Sequence, residues 1–140
     1  MTIRAHVHNE AGCHRVTLRT NETEQTLSIP SKAAGGGSAV NGGELLFLAL
    51  ATCYCNDVYR EAAGLGIDVR GVEVEVDGAF GGVGEPATDV GYRARVTVAG
   101  ASEDDARRLL DRVDAVAEVH NTLRAGTAVR LRAAEVEIVA

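Results

Sequence analysis

The stretch from Gly42 to Gly66 limits the possible folds of this chain more than any other. It follows a glycine-rich run, is apolar on nearly every side through Cys55, and becomes charged only at Asp57, Arg60 and Glu61. A helix that is hydrophobic all round must be buried on all sides. Two of the three cysteines, Cys53 and Cys55, lie on it, so the best chemical candidates are expected inside the core.

The chain has 140 residues, which fits a single domain over residues 1–140. Its 46% hydrophobic and 24% charged content excludes a disordered chain. Aromatic residues make up only 4% and Trp is absent, which argues against a nucleic-acid surface built on stacked rings. A net charge of −6 disfavours a phosphate backbone as partner too, so no nucleic acid is expected. The apolar run Leu45 to Ala51 is too short to span a bilayer, and no basic amino terminus precedes an apolar segment. The expectation is a cytoplasmic protein with no membrane partner, in a reducing compartment that keeps thiols free. Three cysteines cannot all pair within one chain.

Alternation of Ile3, Ala5 and Val7 with polar residues predicts a strand over Thr2 to His8, with a turn at Asn9 to Gly12. Further strands are expected over His14 to Thr20 and Gln25 to Ile29, an antiparallel start. The loop Pro30 to Gly43 carries five glycines but matches neither phosphate-binding fingerprint. Asn41 and Glu44 fall at the start of the apolar helix, where a cap and a carboxylate suit the helix dipole.

Beyond Gly66, Val72, Val74 and Val76 alternate with Glu73, Glu75 and Asp77, giving a strand. Gly78 to Asp89 reads as a turn-rich connection, and Gly91 to Val98 as the next strand. Ser102 and Asp105 cap a second helix whose apolar stripe is Ala106, Leu109, Leu110, Val113, Val116 and Ala117. His120 to Leu123 predicts a bend or helical turn, and Thr127 to Val139 a final strand with a bulge at Ala133 and Ala134. The order β-β-β-α-β-β-α-β argues for an α+β fold. The apolar helix needs more cover than one chain supplies, so a homodimer is expected.

Cys53, Asp57 and Arg60 stand at i, i+4 and i+7 and share one helix face. A guanidinium there would favour a Cys53 thiolate and Asp57 would oppose it; an inert buried thiol is the alternative. Cys55 lies about 200° around the helix from Cys53, so the two thiols point apart. Cys13 sits at a turn beside His14, where adjacent strand side chains face opposite ways. No metal is expected: Cys53-x-Cys55 has the wrong spacing for a zinc knuckle, and nothing in the sequence brings His6 and His8 to the cysteines.

The run Gly43-Glu44-Leu45-Leu46-Phe47-Leu48-Ala49-Leu50-Ala51-Thr52-Cys53, with Gly66-Ile67, the Val72 to Val76 strand and Val119-His120-Asn121-Thr122-Leu123, resembles the signature of the OsmC/Ohr family. The resemblance extends over essentially the whole chain. It implies a strongly bent antiparallel sheet around two main helices, an intertwined homodimer with sites at the subunit interface, and reduction of organic hydroperoxides by a peroxidatic cysteine without a cofactor. By position, Cys53 resembles the peroxidatic residue, Glu44 the family glutamate and Arg15 the family arginine, with Arg19 as a competitor. Glu44 and Cys53 are about 180° apart on a regular helix, so sharing one site requires a distorted helix start or a second subunit.

One departure stands out. Where active members carry a resolving cysteine, commonly followed by Pro, this chain has Ala117 and Glu118. The resemblance then leaves three readings: a one-cysteine cycle restored by an external thiol, resolution by Cys13 or Cys55, or a homologue that binds a small apolar or thiol-containing ligand without turnover. His120, just after the substituted position, is read as a helix-terminal cap or as a proton donor near the site.

Overall fold

A computed structural model describes the whole chain, Met1 to Ala140. The contacts divide it into two compact units, Met1–Phe47 and Leu48–Ala140.

The first unit is a three-stranded antiparallel sheet in the order β1 (Ile3–Glu10), β2 (Cys13–Thr20) and β3 (Thr23–Thr26). Ala11 and Gly12, both at positive φ, close the β1–β2 hairpin by pairing Glu10 with Cys13. Positive φ at both central positions gives a turn the twist its flanking strands need. β3 begins two residues earlier than its apolar pattern predicts and ends at Thr26, one residue before the last hydrogen bond to β2, which the Leu27 N–H donates to the Val16 carbonyl at 3.3 Å. Helix α1 (Gly42–Leu65) starts in this unit with a reciprocal cap. The Glu44 N–H donates to Asn41 Oδ1 at 2.8 Å, and the Asn41 N–H donates to Glu44 Oε1 at 3.1 Å.

The second unit contains the rest of α1, the hairpin β4 (Asp68–Phe80) and β5 (Ala87–Ala99), α2 (Glu103–Val116) and the short α3 (Glu118–Arg124). Its core joins Tyr54, Val58 and Ala62 of α1 to Leu109 and Val113 of α2, roofed by Val69, Val72, Val74, Tyr92, Ala94 and Val96 from the hairpin. Ser102 caps α2 as expected, its Oγ accepting the Asp105 N–H. The connection expected over Gly78 to Asp89 shrinks to residues 81–86. Both strands run on through an irregularity between Asp77 and Ala79, opposite Asp89 at positive φ.

Gly66 ends α1 at φ +67°, with its N–H on the Ala63 carbonyl and the Ile67 N–H on the Ala62 carbonyl. That pair of bonds is a Schellman cap, which needs a left-handed residue. Nothing crowds the position where a Cβ would stand. Gly66→Ala is therefore expected to cost about 1 kcal/mol through backbone strain alone. Denaturant melting checks this, and an unchanged midpoint would remove the cap from the account.

One expectation is corrected. The final strand over Thr127 to Val139 does not form: residues 127–140 have no regular structure and are exposed throughout. A strand needs a neighbour to satisfy its backbone groups, and no strand of this chain pairs with that segment. Within the single chain α1 is covered on one face only. Leu50, Tyr54, Asp57, Val58 and Ala62 are buried along one face, while Leu48, Tyr59 and Leu65 stay exposed. No helix is long and apolar enough to cross a membrane.

Candidate functional site

The residues that the fold gathers around Cys53 are Asp57, Arg60 and Glu118. Helical spacing brings the first two to the Cys53 face, and the break between α2 and α3 supplies the third. Ala117, fully buried, both ends α2 and precedes α3, with extended backbone at φ −63° and ψ 110°. That break turns the start of α3 toward Cys53.

The Cys53 side chain is partly buried. Its thiol lies 3.7 Å from Asp57 Oδ2 and 3.8 Å from Glu118 Oε2. Arg60 Nη1 holds the other oxygen of each carboxylate, Asp57 Oδ1 at 3.0 Å and Glu118 Oε1 at 3.1 Å, while its Nε reaches Glu61. The guanidinium thus pairs with the outer oxygens of the carboxylates, and it is these acids that face the sulfur. Burial pushes the Cys53 thiol above its ordinary pKa, and the Asp57 and Glu118 charges push the same way. The backbone N–H groups of Val119 and, more weakly, Glu118 pull it down. Burial, then the Glu118 charge, likewise raises the Asp57 carboxyl, against Arg60, whereas Glu118 is held low chiefly by its own backbone N–H. At neutral pH the arrangement stores a protonated thiol beside proton acceptors.

Glu118→Gln removes one of the two charges that oppose ionisation. Alkylation of Cys53 by iodoacetamide at pH 7, followed by mass, is expected to speed up severalfold. An unchanged or slower rate would show that the Glu118 charge does not govern the thiol.

The other candidates lie elsewhere. Arg15 and Arg19 are on β2; Arg15 stands opposite His8 in the register, and Arg19 pairs with Glu24 at 2.9 Å. Glu44 is engaged in the α1 cap. Cys13 is exposed at the first hairpin, and Cys55 lines a small concavity with Ala51, Thr52, Asn56 and Val74. All three thiols are free.

His120 does not cap a helix. It is buried inside α3, with the rings of Tyr92 and Tyr54 at 4.8 and 6.1 Å, and neither ring nitrogen has a partner. Burial, then the Arg124 charge, lowers its pKa and favours the neutral ring. Around it, Tyr54 Oη donates to the Leu110 carbonyl and Tyr92 Oη to Asp114, which Arg124 also holds.

Glu118 is the site residue that sequence reasoning missed. Its only signal was the departure itself: Ala117 and Glu118 stand where the resemblance implies a cysteine and a proline.

Two antiparallel sheets and three helices, with the Cys53 thiol of α1 set against the α2–α3 junction, define an α+β protein. More narrowly, the chain belongs to the OsmC-like protein family, whose family model matches residues 35–132, well over half its length. No curated protein matches it by sequence. Among solved structures, the OsmC-like protein of Mycoplasma pneumoniae superposes with a TM-score of 0.61 at 17% identity, covering 86% of this chain and 87% of that one. An OsmC-like protein of Vibrio cholerae gives 0.57 at 13% identity, covering 87% and 94%. The organic hydroperoxide resistance protein OsmC of Legionella pneumophila gives 0.56 at 20% identity, covering 89% and 90%. At such identities the likeness is one of fold.

Proposed function

We propose that the protein reduces organic hydroperoxides with Cys53 as its one working thiol, acting as a homodimer of single-domain chains. The observation that carries this reading is the partly buried, free Cys53 thiol, set against the Asp57 and Glu118 carboxylates at 3.7 and 3.8 Å. A protonated thiol in that position has a base within reach. In the first half-reaction the thiol proton passes to Asp57 or Glu118 as sulfur attacks the distal peroxide oxygen. The O–O bond breaks, the proton goes to the departing alkoxide, and an alcohol leaves Cys53 as a sulfenic acid. An external thiol then attacks the sulfenic sulfur, releasing water and forming a mixed disulfide. A second thiol displaces the first as a disulfide and restores Cys53.

In this reading Arg15 brings a guanidinium to the ionising sulfur, and Glu44, with one oxygen unused by its cap, orients it. Arg19 remains the competing arginine, and Cys13 or Cys55 the competing resolving thiol. The apolar residues left exposed support the dimer: Val129 is 97% exposed and Ile138 90%, and Leu48 and Leu65 stand open on α1. A second copy would cover this surface and give residues 127–140 a strand to pair with. One observation favours a second reading, ligand binding without turnover: burial, and after it the charges of Asp57 and Glu118, favour the protonated thiol.

Both readings meet the same test. Reduced protein is mixed with cumene hydroperoxide and Cys53 is followed by mass, with Cys53→Ser as control. The peroxidase predicts sulfenic acid at Cys53, turnover with added dithiothreitol, a rate that climbs toward alkaline pH and no turnover in the variant. Oxidation of Cys53 no faster than that of exposed Cys13 would leave only the binding reading.

A further inference from the structure

We propose that Cys53, Asp57 and Glu118 form a site for a borderline divalent cation such as Zn2+, with a fourth position left to water. The sulfur stands 3.7 Å from Asp57 Oδ2 and 3.8 Å from Glu118 Oε2, and the three donor atoms all lie within 4.8 Å of one another. In a tetrahedral zinc site with Zn–S of about 2.3 Å and Zn–O of about 2.0–2.2 Å, sulfur and oxygen ligands lie about 3.5–3.7 Å apart. Both sulfur-to-oxygen spacings are therefore close to those of coordination before any ion enters. Asp57 is buried and held by Arg60, and the exposed Glu118 is the donor free to move toward an ion.

This is not a run of surface acids. One thiol and one buried carboxylate come from successive turns of α1, and the third donor comes from 65 residues further along the chain, at the start of α3. Arg60 grips the outer oxygen of each carboxylate at 3.0 and 3.1 Å, while the inner oxygens face the sulfur. Outer hydrogen-bond partners of this kind orient metal-binding carboxylates and are half of what makes such a site. Charge agrees with geometry. A thiolate and two carboxylates carry three negative charges, and a dication plus the Arg60 guanidinium carry three positive ones. Binding expels the thiol proton as the metal–sulfur bond forms. The thiolate donor selects zinc-like ions over Mg2+ or Ca2+, which take oxygen ligands. Three protein donors leave the site open and the ion exchangeable, unlike closed four-ligand structural zinc. An ion there commits the sulfur lone pair and shields Cys53 from electrophiles. None of this requires the peroxidase reading.

Co2+ is the probe, added to the reduced full-length chain. The expected result is a near-ultraviolet thiolate-to-cobalt charge-transfer band that Zn2+ abolishes by displacement, with Cys53 protected from iodoacetamide in either metal-bound form. Cys53→Ser should lose the band. Glu118→Gln should weaken Co2+ by at least about tenfold, since outer partners alone are worth that much. Cys13→Ser and Cys55→Ser should keep both band and affinity, and would show that a fold carrying a Cys→Ser change still binds. A band that survives in Cys53→Ser, or the absence of band and protection at a large excess of Co2+, would overturn the site. Neither readout uses peroxide, so the site can fail while the peroxidase stands, and the reverse.

Discussion

Ala117→Cys is expected to close a disulfide with Cys53 under mild oxidation and to make the oxidised protein markedly more stable than the reduced one. Ala117 lies fully buried at the break between α2 and α3, and the N–H groups of the next two residues reach the Cys53 sulfur. The substitution adds one sulfur atom at the position where the family resemblance implies a second thiol. The new bond would close a loop of about 65 residues, which in the chain-entropy account is worth about 4 kcal/mol. For a domain of this size that corresponds to a melting temperature higher by about 10 °C in the oxidised form. Mass spectrometry under denaturing, non-reducing conditions counts the thiols, and thermal melts with and without reductant give the gain. If Cys53 and the introduced thiol both remain free after oxidation, the α2–α3 break does not face Cys53 as described. The role assigned to Glu118 would fall with it.

The fold was legible wherever a short-range pattern had one physical meaning. The apolar run from Leu45, the Ser102 cap with its stripe through Leu109 and Val113, and the alternation of Val72, Val74 and Val76 each give an element within a few residues of its observed bounds. What escaped was set by partners rather than by local pattern. Residues 127–140 alternate convincingly but find no strand in their own chain to pair with. Gly78 and Asp89 read as loop residues because glycine and aspartate favour turns, yet a bulge lets β4 and β5 continue through them.

The candidate site divides along the same line. Cys53, Asp57 and Arg60 were readable because helical spacing alone puts them on one face. Glu118 was not, because its approach to Cys53 depends on the angle at Ala117, which no periodicity encodes. His120 misled in the opposite way: a histidine near a helix end suggests a cap, but the Tyr54 and Tyr92 rings enclose it.

Leu109→Ala is expected to cost about 3 kcal/mol, because it empties the centre of the second unit's core. Leu109 is fully buried on α2 and belongs to one cluster with Tyr54, Val58 and Ala62 of α1 and with Val113. Truncation removes its transfer energy and leaves a cavity between helices that cannot fully close, since Tyr54 Oη is tied to the Leu110 carbonyl at 2.9 Å. The melting temperature should fall by about 10 °C. Val83→Ala, on a fully exposed loop residue, is the control and should change stability by no more than about 0.5 kcal/mol. The effect should also reach the thiol. α3 follows directly from α2, so loosening the seat of α2 loosens the hold of Glu118 on Cys53. Alkylation of Cys53 in folded Leu109→Ala, at a temperature well below its melt, is therefore expected to exceed that of the parent protein. Equal rates in a variant destabilised as predicted would mean that the site is held by α1 alone.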